Sequence, residues 1–221
     1  MSINTSIFKK ALMAFTGLSL ALFTVVHLIG NLQLFYDDGG EAFNVYAHFM
    51  STNPIIQASA WGLKVVILLH VVYAVFLTLT NKKARPVKYA KERNNSSWMS
   101  RNMGLLGTVL LAFIVVHLAN FWAKYHYGAD LPTTMIEGKE YTDLYLIVEQ
   151  TFENPFLVGL YVVSMLSLAL HLIHGFNSGF QTFGINHPKV NAVVRVTGLG
   201  ISVLVPLGFA MIPIYMFVNS L

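Results

Sequence analysis

The chemistry in this sequence rests on four histidines set in long apolar stretches: His27, His70, His117 and His171. Gly17–Leu28 and Gly107–Leu118 both read G-x-x-L-x-x-F-x-V-V-H-L, at an offset of 90 residues. Asn53-Pro54 lies 17 residues before His70, and Asn154-Pro155 lies 17 residues before His171. The sequence therefore holds two helix hairpins with one histidine per helix. An ionisable residue inside a membrane span is costly and marks a functional site by default. A single such histidine is explained as well by hydrogen bonds inside a bundle, but four in a repeated frame ask for a joint explanation.

At ~1.5 Å of rise per residue, His27 and His117 lie roughly 25 Å from the cytoplasmic edge, and His70 and His171 roughly 15–18 Å from it. Repeat-related histidines thus share a level, His27 with His117 and His70 with His171. Two imidazoles meeting at one height suit the axial positions of a haem iron, and bis-histidine ligation leaves no open position for oxygen and favours electron transfer. Zinc would ask for a third or fourth clustered ligand, and neither level offers one. Thr24, three residues before His27, and Ser167, four before His171, are placed to support the second ring nitrogen. Gly17, Gly30, Gly62, Gly104, Gly107, Gly159 and Gly175 allow close approach of a flat macrocycle, or simply of another helix.

His174 stands at i+3 from His171 and is the alternate ligand; the repeat frame selects His171. The remaining one of the two is free to contact a propionate or quinone, or to bond within the bundle. His48, His126 and His187 fall in connections and read as solvated or interfacial. Lys64 lies inside the second span near the outer histidine level, either snorkelling to the surface or pairing with an outer haem propionate. Trp61, Trp98 and Trp122 sit near span ends, where interfacial belts put tryptophan.

These residues need a membrane-crossing scaffold, and composition supplies one. Of 221 residues, 55% are hydrophobic and 11% are charged, against about 25% charged in a typical soluble domain. Spans of roughly 20 apolar residues occur at about 11–34, 56–80, 103–125, 155–180 and 192–218, which we read as one transmembrane domain. The first is preceded by Lys9 and Lys10 but is too long for a signal-peptide core and lacks a small-residue cleavage site, so it reads as a retained span. Eleven Lys and Arg, against Glu92 alone, occupy the N-terminus and the 81–102 and 181–195 connections; nine acids against three lysines occupy the other side. The N-terminus is therefore expected in the cytoplasm and the C-terminus outside, and the basic segments are topogenic, not nucleic-acid-binding. With no cysteine there is neither a disulfide nor an iron–sulfur ligand, and no glycine-rich phosphate loop is present. The fold class expected is all-α and integral to the membrane: five helices, four of them a bundle made from a duplicated hairpin, plus a fifth that completes the bundle or faces lipid.

The chain resembles the diheme cytochrome b membrane-anchor subunits of succinate dehydrogenases and quinol:fumarate reductases with a single five-helix anchor. The resemblance rests on His27 followed by Gly30-Asn31, HVVYA at His70, VVHLANFW at His117, and HLIHGFNSGFQTFG from His171, with Gly175 four residues after it. It implies two b haems, an outer one held by His27 and His117 and an inner one by His70 and His171. It also implies a flavoprotein subunit, an iron–sulfur subunit on the cytoplasmic face, menaquinone or another quinone near the outer face, and a bacterial cytoplasmic membrane. A higher oligomer of that complex is left open. Two positions depart from some relatives: Ala169 stands where diheme fumarate reductases carry a glutamate, and Glu41 is the nearest acid to their quinone-site carboxylate. Other readings are the cytochrome b subunit of a hydrogenase or formate dehydrogenase, and a haem-free proton-coupled transporter using the histidines as relays.

Overall fold

The computed structural model describes residues 3–83, 97–184 and 187–221. Of the basic connection, Arg85, Lys88, Lys91, Glu92 and Arg93 lie outside the described residues. The long helices are α1 (Ile3–Asn31), α3 (Pro54–Lys83), α5 (Met103–His117), α8 (Pro155–Thr182) and α9 (Pro188–Asn219). Between them come α2 (Glu41–Thr52), α4 (Trp98–Arg101), α6 (Lys124–Tyr127), a hairpin of β1 (Thr133–Ile136) and β2 (Lys139–Thr142), and α7 (Leu144–Phe152). Five helical segments are long and apolar enough to cross a membrane, at Ile7–Phe35, Pro54–Thr80, Met103–Tyr127, Pro155–Thr182 and Val190–Asn219. Their outward surfaces carry Phe15, Leu22, Leu68, Val115, Leu166 and Leu204, all exposed. An apolar surface of that extent is stable only against lipid. The protein is an all-α integral membrane protein.

The two Asn-Pro pairs do the same local work. Asn53 Oδ1 accepts from the Ile55 N–H at 3.0 Å, and Asn154 Oδ1 accepts from the Phe156 N–H at 2.9 Å. Each asparagine thus satisfies a donor left free at a helix start, and the proline that follows needs no donor there. Helix α8 lies at the centre, packed against α1, α5 and α9, while α3 rests mainly on α1.

Three features add to the sequence reading. First, the third span is not one regular helix: Leu118–Ala123 is π-helical, immediately after His117. A π turn inserts an extra residue per turn and re-aims the side chains that follow. Second, the connections after the first and third spans are folded. Glu137 and Gly138 have φ of 49° and 77°, the positive values that a tight two-residue hairpin turn requires, and Ile136 pairs with Lys139 across it. Asn44, 1% exposed, joins α2 to α7: its Nδ2 donates to Asp143 Oδ1 and its Oδ1 accepts from the Tyr145 N–H, both at 2.9 Å. Beneath this cap Leu34, Phe43, Val148, Phe152, Tyr161, Ile212 and Met216 form one buried cluster. Third, of the two roles expected for the fifth helix, α9 takes that of completing the bundle. It buries Val205, Ile212 and Met216, and it brings Phe209 to 5.5 Å from the His27 ring.

Candidate functional site: two facing imidazole pairs

The bundle brings the four span histidines together in two couples. The His27 and His117 rings stand 6.0 Å apart between centroids, at an interplanar angle of 87°. The His70 and His171 rings stand 6.4 Å apart, at 70°. Each couple takes one ring from each hairpin. His174 is half-buried and makes no ring contact with His70; it is the His171 ring that faces His70.

The outer couple is boxed in by aromatic side chains. Phe23 stacks on His27 at 5.2 Å, while Phe113 and Phe121 flank His117 at 5.6 and 5.3 Å. Tyr161, 6% exposed, lies 6.1 Å from the His117 ring and accepts from Asn120 Nδ2 at 3.2 Å. Asn120 and Phe121 both belong to the π-helical segment, so that segment shapes the outer site. The inner couple leans instead on the repeat glycines. A Cβ on Gly17 would stand 3.3 Å from His70 Cε1, and one on Gly107 would stand 3.9 Å from His171 Cε1. Gly30 receives the Tyr46 ring of α2, and Gly104 faces Thr78. Gly62, Gly159 and Gly175 have no such neighbour within 4 Å.

Hydrogen bonding at the four rings is uneven. Thr16 Oγ1 stands 3.0 Å from His70 Nδ1. Asn31 Nδ2 stands 3.3 Å from His27 Nδ1 and donates to the His27 carbonyl at 2.7 Å. The Nδ1 atoms of His117 and His171 are buried without a partner. The hydroxyl expected to support His27 does not reach it, because Thr24 donates to its own Ala21 carbonyl at 2.7 Å. Ser167 does not reach His171 either, since that Nδ1 has no partner. Asn31 was visible as an i+4 neighbour of His27; Thr16, 54 residues away from His70, left no sequence signal.

The donor set decides what this arrangement can hold. Among the described residues no three His, Asp or Glu side chains converge on a point that could bind a metal ion, so a tetrahedral site lacks its ligands. Two imidazoles do suffice for a metal that brings its own in-plane ligands. With a metal–nitrogen distance of ~2 Å and a ring centre roughly 1 Å behind each nitrogen, a clamped metal separates the centroids by roughly 6 Å. Both observed spacings match. Among the described residues no hydrogen bond occupies the Nε2 of any of the four rings.

Lys64 settles at the outer rim, its Nζ 3.9 Å from the Trp61 ring centre and 5.0 Å from that of Trp122. Both contacts are cation–π. His126 stacks on the same Trp122 at 4.6 Å, His48 lies against Tyr141 at 5.1 Å, and His187 is exposed before α9. None of the three joins a histidine couple. Glu41 is exposed in the first turn of α2.

Five membrane-crossing helices enclosing two facing imidazole couples define a multi-pass membrane protein. Over 187 residues, 84% of this chain and 84% of the relative, it is 27% identical to the succinate dehydrogenase cytochrome b558 subunit of Bacillus subtilis (strain 168). That likeness runs over most of the length of both chains. No family model matches it, and no solved structure does.

Proposed function

We propose that this chain is the membrane anchor of a succinate:quinone oxidoreductase, carrying electrons between a cytoplasmic iron–sulfur subunit and membrane menaquinone. When bound, two b haems would supply the one-electron relay that no side chain here provides. His27 and His117 would hold the outer haem, and His70 and His171 the inner one. The observation that carries this reading is the pair of ring spacings, 6.0 and 6.4 Å, each formed by histidines from different hairpins.

The other residues act on solvent and shape. Phe23, Phe113, Phe121 and Phe209 wall the outer couple with apolar rings, keeping water from the imidazoles. The cap of α2, the β-hairpin and α7 covers that end, with Asn44 as its buried tie. Gly17 and Gly107 leave the inner rings room to turn.

The cytoplasmic side is assigned by charge: eleven Lys and Arg against Glu92 in the N-terminal and even-numbered connections. An iron–sulfur subunit would dock there beside a flavoprotein subunit, because a chain without cysteine cannot hold a cluster. The membrane is the bacterial cytoplasmic one, with the C-terminus outside. The test is purification of the full chain with its complex, followed by a reduced-minus-oxidised spectrum of wild type and four His→Ala variants. Each of His27→Ala, His70→Ala, His117→Ala and His171→Ala is expected to remove one haem. A spectrum without haem, or loss patterns that do not pair 27 with 117 and 70 with 171, refutes the proposal.

A further inference from the structure

The hydrogen bond at His70 offers its ring proton an acceptor on the side away from Nε2. Thr16 is 2% exposed, and its Oγ1 lies 2.9 Å from the Leu12 carbonyl, 3.1 Å from the Met13 carbonyl and 3.0 Å from His70 Nδ1. A hydroxyl has one proton to give and lone pairs to receive. Both carbonyls can only accept, so either can take the hydroxyl proton and leave a lone pair facing His70. In that arrangement Nδ1 donates to Thr16 Oγ1, and the Nε2 lone pair is free, the form a metal needs. A hydrogen bond from the distal nitrogen also raises the ring's basicity towards a metal.

None of the other three rings has this arrangement. His27 Nδ1 faces an amide nitrogen, which can only donate, and the Asn31 amide is held that way round by the His27 carbonyl. His117 and His171 Nδ1 have no partner. The polypeptide thus provides a distal acceptor at one ring of the four.

We propose that Thr16 is a positioning residue for His70, fixing its tautomer and raising its basicity, and so lowering the midpoint potential of the inner haem relative to what the same ligands would give without it. This rests on the haem reading above. A more basic ligand favours the ferric over the ferrous state, so removing the acceptor raises the potential. Outer-shell partners of metal-bound histidines typically matter by about tenfold or more. A tenfold change in the oxidised-to-reduced ratio is ~59 mV for a one-electron couple.

The experiment is a redox titration of the haem absorbance in the full chain within its complex, comparing wild type, Thr16→Val, Thr16→Ser and Thr24→Val. His70→Ala identifies which titrating component is the inner haem. Valine keeps the shape of threonine and removes the acceptor, while serine restores it. Thr24→Val removes an equivalent back-bond, to Ala21, that touches no ring. The expected result is an upward, about tenfold shift of the inner component in Thr16→Val alone, with Thr16→Ser at the wild-type value. If Thr16→Val instead releases the inner haem, retention in Thr16→Ser supports the proposal and loss there overturns it. Unchanged potentials in Thr16→Val, an equal shift in Thr24→Val, or movement of the outer component overturns it while leaving the haem reading intact. A wild-type chain with no haem overturns the haem reading itself.

Discussion

Gly17 offers a perturbation whose size can be worked from the structure. Its missing Cβ would stand 3.3 Å from His70 Cε1 and 3.8 Å from His70 Nδ1. Carbon atoms prefer separations of about 3.5–4.0 Å, so Gly17→Ala displaces the ring by about 0.2–0.7 Å. Metal–ligand distances tolerate only about ±0.2 Å. Alanine therefore weakens the inner site, by about tenfold on the scale of outer-shell changes at metal-bound histidines. The helix itself gains, because alanine is favoured over glycine in a helix interior by about 1 kcal/mol. Gly17→Leu adds overpacking of about 1–3 kcal/mol and is expected to empty the inner site. The control is Gly107→Ala, whose Cβ would lie 3.9 Å from His171 Cε1, an ordinary contact. Purified full-length variants are assayed for haem per chain and for thermal unfolding. The expected pattern is loss of one haem graded from Ala to Leu at position 17, no haem loss in Gly107→Ala, and no loss of helix stability in Gly17→Ala. Full haem content in Gly17→Leu, or equal losses in the two alanine variants, would show that the ring does not need this space.

Other expectations follow from the same geometry. His174→Ala keeps both haems whereas His171→Ala loses one, because the His171 ring is the one facing His70; haem quantification distinguishes the two, and the reverse result would make His174 the ligand. Asn44→Ala leaves the Tyr145 N–H without its acceptor and takes one donor from Asp143. The cost is about 2–4 kcal/mol, read as a lower unfolding temperature in detergent. Tyr145 lies outside the membrane spans, and burial, followed by the neighbouring Glu149 carboxylate, raises its phenol above the usual 10.0. A raised acid means the folded state keeps a proton that the unfolded state loses. Its contribution is therefore complete below pH ~10 and is lost as pH rises through the folded value. Tyr145→Phe is expected to flatten that alkaline loss of stability; an unchanged alkaline profile would contradict it.

Much of this architecture is legible in the sequence because the membrane imposes it. Lengths of roughly 20 apolar residues leave no other structure, and all five spans fall within the helices observed. The repeat G-x-x-L-x-x-F-x-V-V-H-L is legible for a related reason. Its glycine and histidine, ten residues apart, serve different levels: Gly17 and Gly107 back the inner rings while His27 and His117 form the outer couple. What the sequence hides is set by tertiary contact. The Thr16–His70 hydrogen bond spans 54 residues, and no local pattern marks the π turn after His117. Helix α2 and helix α7 are short and half-polar, and their burial depends on each other through Asn44. The hairpin carried a usable signal, Glu137-Gly138 between TTMI and KEYT, masked by its place in a polar connection. Thr24 stands at helical spacing from His27, but the Ala21 carbonyl one turn back takes its hydroxyl proton.

The most direct test of two imidazole clamps is a pyridine haemochrome assay on the purified full chain in its complex, with protein quantified in parallel. Two b haems per chain is the result the geometry predicts. One or none would contradict it, since the two histidine couples would then not both be ligand sites.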